Sequence, residues 1–181
     1  MHPNKPAIGG PFPAIEVGRL GGGTLVLGQA SDGFDWQVVV VYRGKHCPIC
    51  TRYLRELNEV IAPLTELGVE VVAVSADRED RAIKQISEVK PDYPIGYGLT
   101  EDQMRSLGLY ISGPHHGIRV DGPFAEPGLF VVNEKKELWM ADVSNVPFLR
   151  PQLPSLVNGL KFVRSFLAGQ PAGFRANGTF A

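Results

Sequence analysis

The stretch Val38 to Arg52, VVVVYRGKHCPICTR, constrains the fold of this chain more than any other, because it joins a short valine run to both of its cysteines. Trp36 to Tyr42, WQVVVVY, has the length and branched composition of a strand. Beyond Arg52 the apolar period changes. Tyr53, Leu54, Leu57, Val60, Ile61, Leu64 and Leu67 recur at three and four residues with charged residues between them, which predicts an amphipathic helix closed by Gly68. Val69 to Ser75, VEVVAVS, then reads as a strand covered on both faces of a parallel sheet. Strand, cysteine pair, helix and strand in that order predict an α/β chain whose cysteines stand at the mouth of a helix.

The rest of the sequence extends this alternation. Pro63 should kink the first helix or end its first part near Ala62, because it supplies no N–H to the ladder. A helix follows over REDRAIKQISEV, with Asp77 expected as its N-cap and Asp80 as a first-turn acid. A short strand around Ile95 to Gly98 and a helix from Glu101 to Leu107 come next. Gly108 to Glu126 reads as a loop by its Gly and Pro content, of a length that usually carries function. GLFVVN and ELWMADV form a hairpin, Leu153 to Leu167 has helical spacing, and residues 169–181 are expected to be an extended or disordered tail. Upstream, Thr24 to Gln29 and Trp36 to Tyr42 are expected to pair across the Asp32-Gly33 turn. At 181 residues the whole, 1–181, suits one domain.

Charge and composition exclude several functions. A formal net charge of -1 and the lack of any Lys/Arg run give no field for nucleic acid or an anionic membrane. No apolar run approaches the roughly 20 residues of a membrane-spanning helix. The opening, MHPNKPAIGGPFPAIEV, is broken by Pro and Gly and lacks the apolar centre of a signal peptide. A cytoplasmic location follows as the expectation, and in a reducing compartment a Cys-x-x-Cys pair is redox-active or metal-binding more often than structural.

Pro48 suits the first helical position, so Cys47 falls at the N-cap and Cys50 in the first turn, where unpaired N–H groups and the helix dipole favour a thiolate on Cys47. A fall in pKa from about 8.5 to about 6.5 would raise the thiolate fraction at pH 7 roughly 25-fold, but the accompanying loss of nucleophilicity, about 8-fold, leaves a gain of about threefold. Reversible dithiol chemistry is what the spacing favours. Two other readings stand beside it. A zinc site would need further ligands from His2, His46, His115 or His116, of which the adjacent pair would not easily share one ion. Two inert buried thiols are the third reading, although Gly44, Lys45 and His46 lead one to expect an exposed, polar setting. His46 could support a thiolate or donate a proton, or simply face solvent. His115, His116 and Arg119 lie on the long loop and could fold over the cysteines.

VVVVYRGKHCPICTRYLREL, GVEVVAVSAD and EPGLFVVNEKKEL together resemble the alkyl hydroperoxide reductase and thiol-specific antioxidant family. The likeness is greatest to its peroxiredoxin-like branch, with Tyr-Arg-Gly before Cys-Pro-x-Cys, and runs from about Pro11 to Val143. It implies a thioredoxin-like fold, with a central mixed β-sheet flanked by helices on both faces. It also implies a thiol-dependent oxidoreductase that reduces peroxides or disulfides, needs no cofactor beyond a redox-active Cys47–Cys50 disulfide, and draws electrons from a thioredoxin- or glutathione-type reductant. Homodimer formation stays open. Pro127 matches the cis proline that faces the redox cysteines in thioredoxin-like proteins, and is expected to be cis. Typical members carry Pro-x-x-x-Thr-x-x-Cys. Counting back from Cys50 puts Cys47 and Arg43 at the Thr and Pro positions, and counting from Cys47 puts Gly44 and Val40 there. The family's late arginine is replaced by Glu126 and Pro127, leaving Arg43 and Arg119 as candidates for its role. Cys47 attacking and Cys50 resolving is the leading order, and the reverse follows if Cys50 aligns with the peroxide-reacting cysteine. A non-catalytic redox-sensing or binding module of the same fold is the alternative.

Overall fold

Four valines in a row can be buried on both sides only if a strand lies inside a sheet with layers above and below it, and that is where Val38–Val41 are found. The computed structural model describes residues 5–114 and 120–169. In chain order its elements are β1 (Ile15–Arg19), β2 (Thr24–Leu27), β3 (Trp36–Val41), α1 (Pro48–Asn58), α2 (Ile61–Glu66), β4 (Val69–Val74) and α3 (Glu79–Val89). They continue with β5 (Ile95–Tyr97), α4 (Glu101–Ser106), β6 (Ile111–Ser112), β7 (Phe124–Ala125), β8 (Gly128–Val132), β9 (Leu138–Val143) and α5 (Leu153–Ala168).

The main sheet runs β2-β1-β5-β4-β3-β8-β9. β3 lies parallel to β4 and β4 to β5, whereas β8 is antiparallel to β3 and to β9. Because successive side chains point to opposite faces, the valines of β3 supply two cores. Val38, Val40 and Tyr42 pack with Leu54, Leu57, Leu64 and Leu160 of the helices on one face, and Val39 and Val41 pack with Met104, Leu107 and Phe130 on the other. This is the expected mixed sheet with helices on both faces.

Four local expectations are corrected. β2 does not pair with β3. It pairs antiparallel with β1, Ile15 opposite Leu27, through a turn over Gly21–Gly23, all at positive φ. Both edges of β3 are taken by β4 and β8, and only the Gln37 amide reaches back, accepting from the Gly28 N–H at 2.6 Å and donating to the Gln29 carbonyl at 3.0 Å. The first helix breaks at Glu59 and Val60, upstream of Ala62, with α2 restarting at Ile61. A proline ring displaces the carbonyl four residues before it, which for Pro63 is that of Glu59. Asp77 does not cap α3. Arg78 is the N-cap, without a side-chain cap bond, while Glu79 and Asp80 fill the first turn as acids. Lastly, Gly108 to Glu126 is not all loop, since β6 and β7 pair within it, Ile111 opposite Ala125. His2, His115, His116, Arg119 and the tail from 170 onward lie outside the described residues. No helix among the described residues is long and apolar enough to cross a membrane.

Candidate active site

Parallel strands end on the same side of a sheet, so the segments that leave β3 and β4 meet there. After Tyr42 the chain turns at Gly44, whose φ of 117° only glycine adopts readily and whose absent Cβ would lie 2.6 Å from an Asp77 carboxylate oxygen. That carboxylate accepts the Lys45 N–H at 2.7 Å and the Arg81 Nε–H at 3.1 Å. Asp77 therefore holds the loop that carries the cysteines to the start of α1. Burial raises its own pKa, against the pull of Lys45 and Arg81.

Cys47 is the N-cap of α1, with φ −106° and ψ 101°, and Pro48 opens the helix as expected. Its Sγ takes the place of a capping oxygen and accepts the Cys50 N–H at 3.3 Å. Gln85 of α3 donates to Thr51 Oγ1 at 3.0 Å, and Thr51 Oγ1 donates to the Cys47 carbonyl at 3.4 Å, which fixes this turn from behind. Both thiols are free and buried, Cys47 2% and Cys50 0% exposed, which corrects the expectation of an exposed setting. Arg43 and the β7 strand close the site. Arg43 Nη1 stands 3.9 Å from Cys47 Sγ, its Nε is 3.1 Å from Glu126 Oε2, and its guanidinium lies 4.9 Å from the centre of the Phe124 ring. The same ring meets His46 edge-on at 4.5 Å.

The two sulfurs are electrostatically unequal. The Cys50 thiol hydrogen bond lowers Cys47 most; burial opposes it, and the Cys50 N–H and Arg43 add to it, bringing the Cys47 thiol down to about 6. Cys50 is pushed well up, first by burial and then by its bond to Cys47, with Arg150 pulling the other way. Arg150 Nη2 is 2.9 Å from Cys50 Sγ. The arrangement can hold a thiolate on the first cysteine and a thiol proton on the second.

With a cysteine pair at a helix start in a sheet of this order, the chain matches the sequence model of the AhpC/TSA family over residues 8–139. The chain belongs to the AhpC/TSA family. It is thus an enzyme of the thiol peroxidase and thiol oxidoreductase class, with the thioredoxin-like fold that the resemblance implied. A peroxiredoxin 6 of Arenicola marina superposes with a TM-score of 0.76 at 18% identity, covering 94% of this chain and 80% of that one. A peroxiredoxin-like protein of Aquifex aeolicus gives 0.71 at 18%, covering 88% of each. The AhpC of Mycobacterium bovis gives 0.70 at 16%, covering 94% of this chain and 99% of that one. At these identities the likeness is one of fold. No curated protein matches the sequence significantly.

Within this AhpC/TSA frame the structure brings Arg43, His46, Cys47 and Cys50 together and leaves Arg119 outside the described residues. Pro127 lines a narrow cavity with Tyr53 and Arg150. Its peptide bond is trans, which corrects the expected cis form. In this conformation the Glu126 N–H donates to Tyr110 O at 2.8 Å, the Ser144 N–H donates to Pro127 O at 3.0 Å, and the Glu126 side chain points back to Arg43. Among the described residues no cluster of three or more His, Cys, Asp or Glu could hold a metal ion. Sequence reasoning missed three residues of the site. Arg150 lies 100 residues from Cys50, in a proline-rich bend with no periodicity to single it out. Asp77 has the spacing of a helix cap, which hides its part in the site. Glu126 stands where the family has an arginine, and nothing in its sequence position signals the pairing with Arg43.

Proposed function

We propose that the chain is a thiol peroxidase running a Cys47–Cys50 dithiol cycle, in which Cys47 meets the peroxide and Cys50 resolves it. The observation that carries this reading is the unequal placing of the sulfurs: Cys47 Sγ accepts the Cys50 N–H at the helix start beside Arg43, whereas Cys50 is fully buried, which favours the thiolate on Cys47 and the thiol on Cys50. The Cys47 thiolate attacks the distal peroxide oxygen, the O–O bond breaks, and the alcohol or water leaves after taking a proton. Arg43, between Cys47 and Glu126, is the donor best placed to stabilise the charge on the departing oxygen. Cys50 then attacks the sulfenic acid, water leaves, and a thioredoxin- or glutathione-type thiol reduces the disulfide. No cofactor is needed. Cys47 at 2% exposure favours a peroxide as small as hydrogen peroxide. The cycle suits the cytoplasm, and residues 1–181 serve it as one domain.

The test is peroxide consumption coupled to a thioredoxin and its reductase. Cys47→Ser should abolish turnover, and Cys50→Ser should stop after one equivalent with a sulfenic acid on Cys47. Robust turnover surviving both substitutions contradicts the mechanism. The burial of both sulfurs favours one other reading, a redox sensor without turnover, which predicts a reversible disulfide and negligible catalytic consumption.

A further inference from the structure

Arg150 reaches a reacting sulfur from outside the strand–helix unit that carries the cysteines. Its guanidinium is fixed on several sides. Nη2 is 2.9 Å from Cys50 Sγ, Nε donates to the Pro147 carbonyl at 2.9 Å, and the group stacks 4.9 Å from the centre of the Tyr53 ring, whose hydroxyl donates to Pro151 O at 3.0 Å. The sulfur it faces is fully buried, in surroundings that oppose a charge. Among the described residues the other groups facing Cys50 are Cys47, the Arg43 backbone and the Tyr42 side chain, none of which brings a cation. The Arg43 guanidinium is engaged with Cys47 and Glu126. Arg150 thus supplies the positive charge available to Cys50.

We propose that Arg150 is a catalytic residue of the resolving half of the cycle, holding the Cys50 thiolate as its proton leaves and taking no part in the attack of Cys47 on peroxide. The inference rests on the dithiol reading above. In the step it serves, the Cys50 thiolate attacks the sulfur of the Cys47 sulfenic acid. The S–S bond forms, the S–O bond breaks, and hydroxide departs with the proton Cys50 gave up, as water. Cys50 sulfur is oxidised and the sulfenic sulfur reduced by the same electron pair. The attack needs a thiolate that burial disfavours, and a charge-assisted bond from a fixed guanidinium offsets that cost.

A single-turnover experiment with hydrogen peroxide separates the two halves, reading sulfenic acid by a dimedone-type probe and disulfide by mass spectrometry of quenched samples. Arg150→Met should slow disulfide formation about ten- to a hundredfold at pH 7, the worth of one charge-assisted bond, and slow Cys47 oxidation far less. The deficit should persist as pH rises, because below the raised Cys50 value both forms ionise in the same proportion to hydroxide, and Cys47 sulfinic acid should accumulate under excess peroxide. Arg150→Lys, which keeps the charge and loses the fork, should fall between; it also carries the test if the methionine variant fails to fold. In a Cys47→Ser background, Arg150→Met should move the alkylation midpoint of Cys50 upward. Wild-type disulfide formation in Arg150→Met, or equal slowing of both halves, overturns the assignment while leaving the dithiol cycle standing. A wild-type protein that gains oxygen at Cys47 yet never forms the Cys47–Cys50 bond overturns both.

Discussion

Cys47 and Cys50 are the same side chain one helical turn apart, and their neighbours alone make one an acid of about 6 and the other a reluctant one. Alkylation followed peptide by peptide should therefore show Cys47 reacting with a midpoint near pH 6 while Cys50 stays unmodified through neutrality. The sign for stability follows: with a native value near 6 and an ordinary one of 9.0, Cys47 adds stability that is complete above about pH 9 and is lost as pH falls through 6. Cys50, raised by burial, acts with the opposite sign and only above its ordinary value. Gly44→Ala should destabilise the protein by about 1–3 kcal/mol in urea, because φ 117° is strained for alanine and its Cβ would strike Asp77. The cysteine pair was legible because its information is local: spacing, Pro48 and the following period lie within one helix. Arg150 and Asp77 were not, because they reach the site through the fold, across 100 residues to Cys50 and 32 to Lys45.

α1 presents Leu54 and Leu57, fully buried, to the sheet, while Cys50 at its start faces Arg150. Leu54→Ala should cost about 2–5 kcal/mol by urea unfolding, as a large core truncation does. Pro63→Ala should change stability by less than about 1 kcal/mol, since in α2 Pro63 stands in the first turn, where an N–H has no intrahelical acceptor. A large gain there would mean that the break the proline causes at Glu59–Val60 strains the packing of the two helices. At this scale most of the fold was readable, because periods of 2 and 3.6 survive in single segments. The β1–β2 hairpin was missed since β1, IEVGR, follows a stretch broken by Pro and Gly, and the valine-rich β3 looked like a better partner for β2 than it is. Pairing depends on which edges are vacant, and a sequence does not display that.

The molecule is a sheet whose parallel strands β3 and β4 release their chains side by side, so that the cysteine loop and its Asp77 anchor form a single structure at that end. The closing elements come from far along the chain, Phe124 and Glu126 over Arg43 and the bend at Arg150 against Cys50. A groove of about 620 Å³ between α1 and residues 147–154 shares Tyr53 and Arg150 with that bend. The order of the two cysteines is the central claim, and tryptic mass spectrometry after one equivalent of hydrogen peroxide tests it most directly. The account predicts that wild type loses both thiol hydrogens to a peptide linking Cys47 and Cys50, and that Cys50→Ser carries one added oxygen on Cys47. An added oxygen on Cys50 in Cys47→Ser, formed as fast as wild type forms its disulfide, would contradict it.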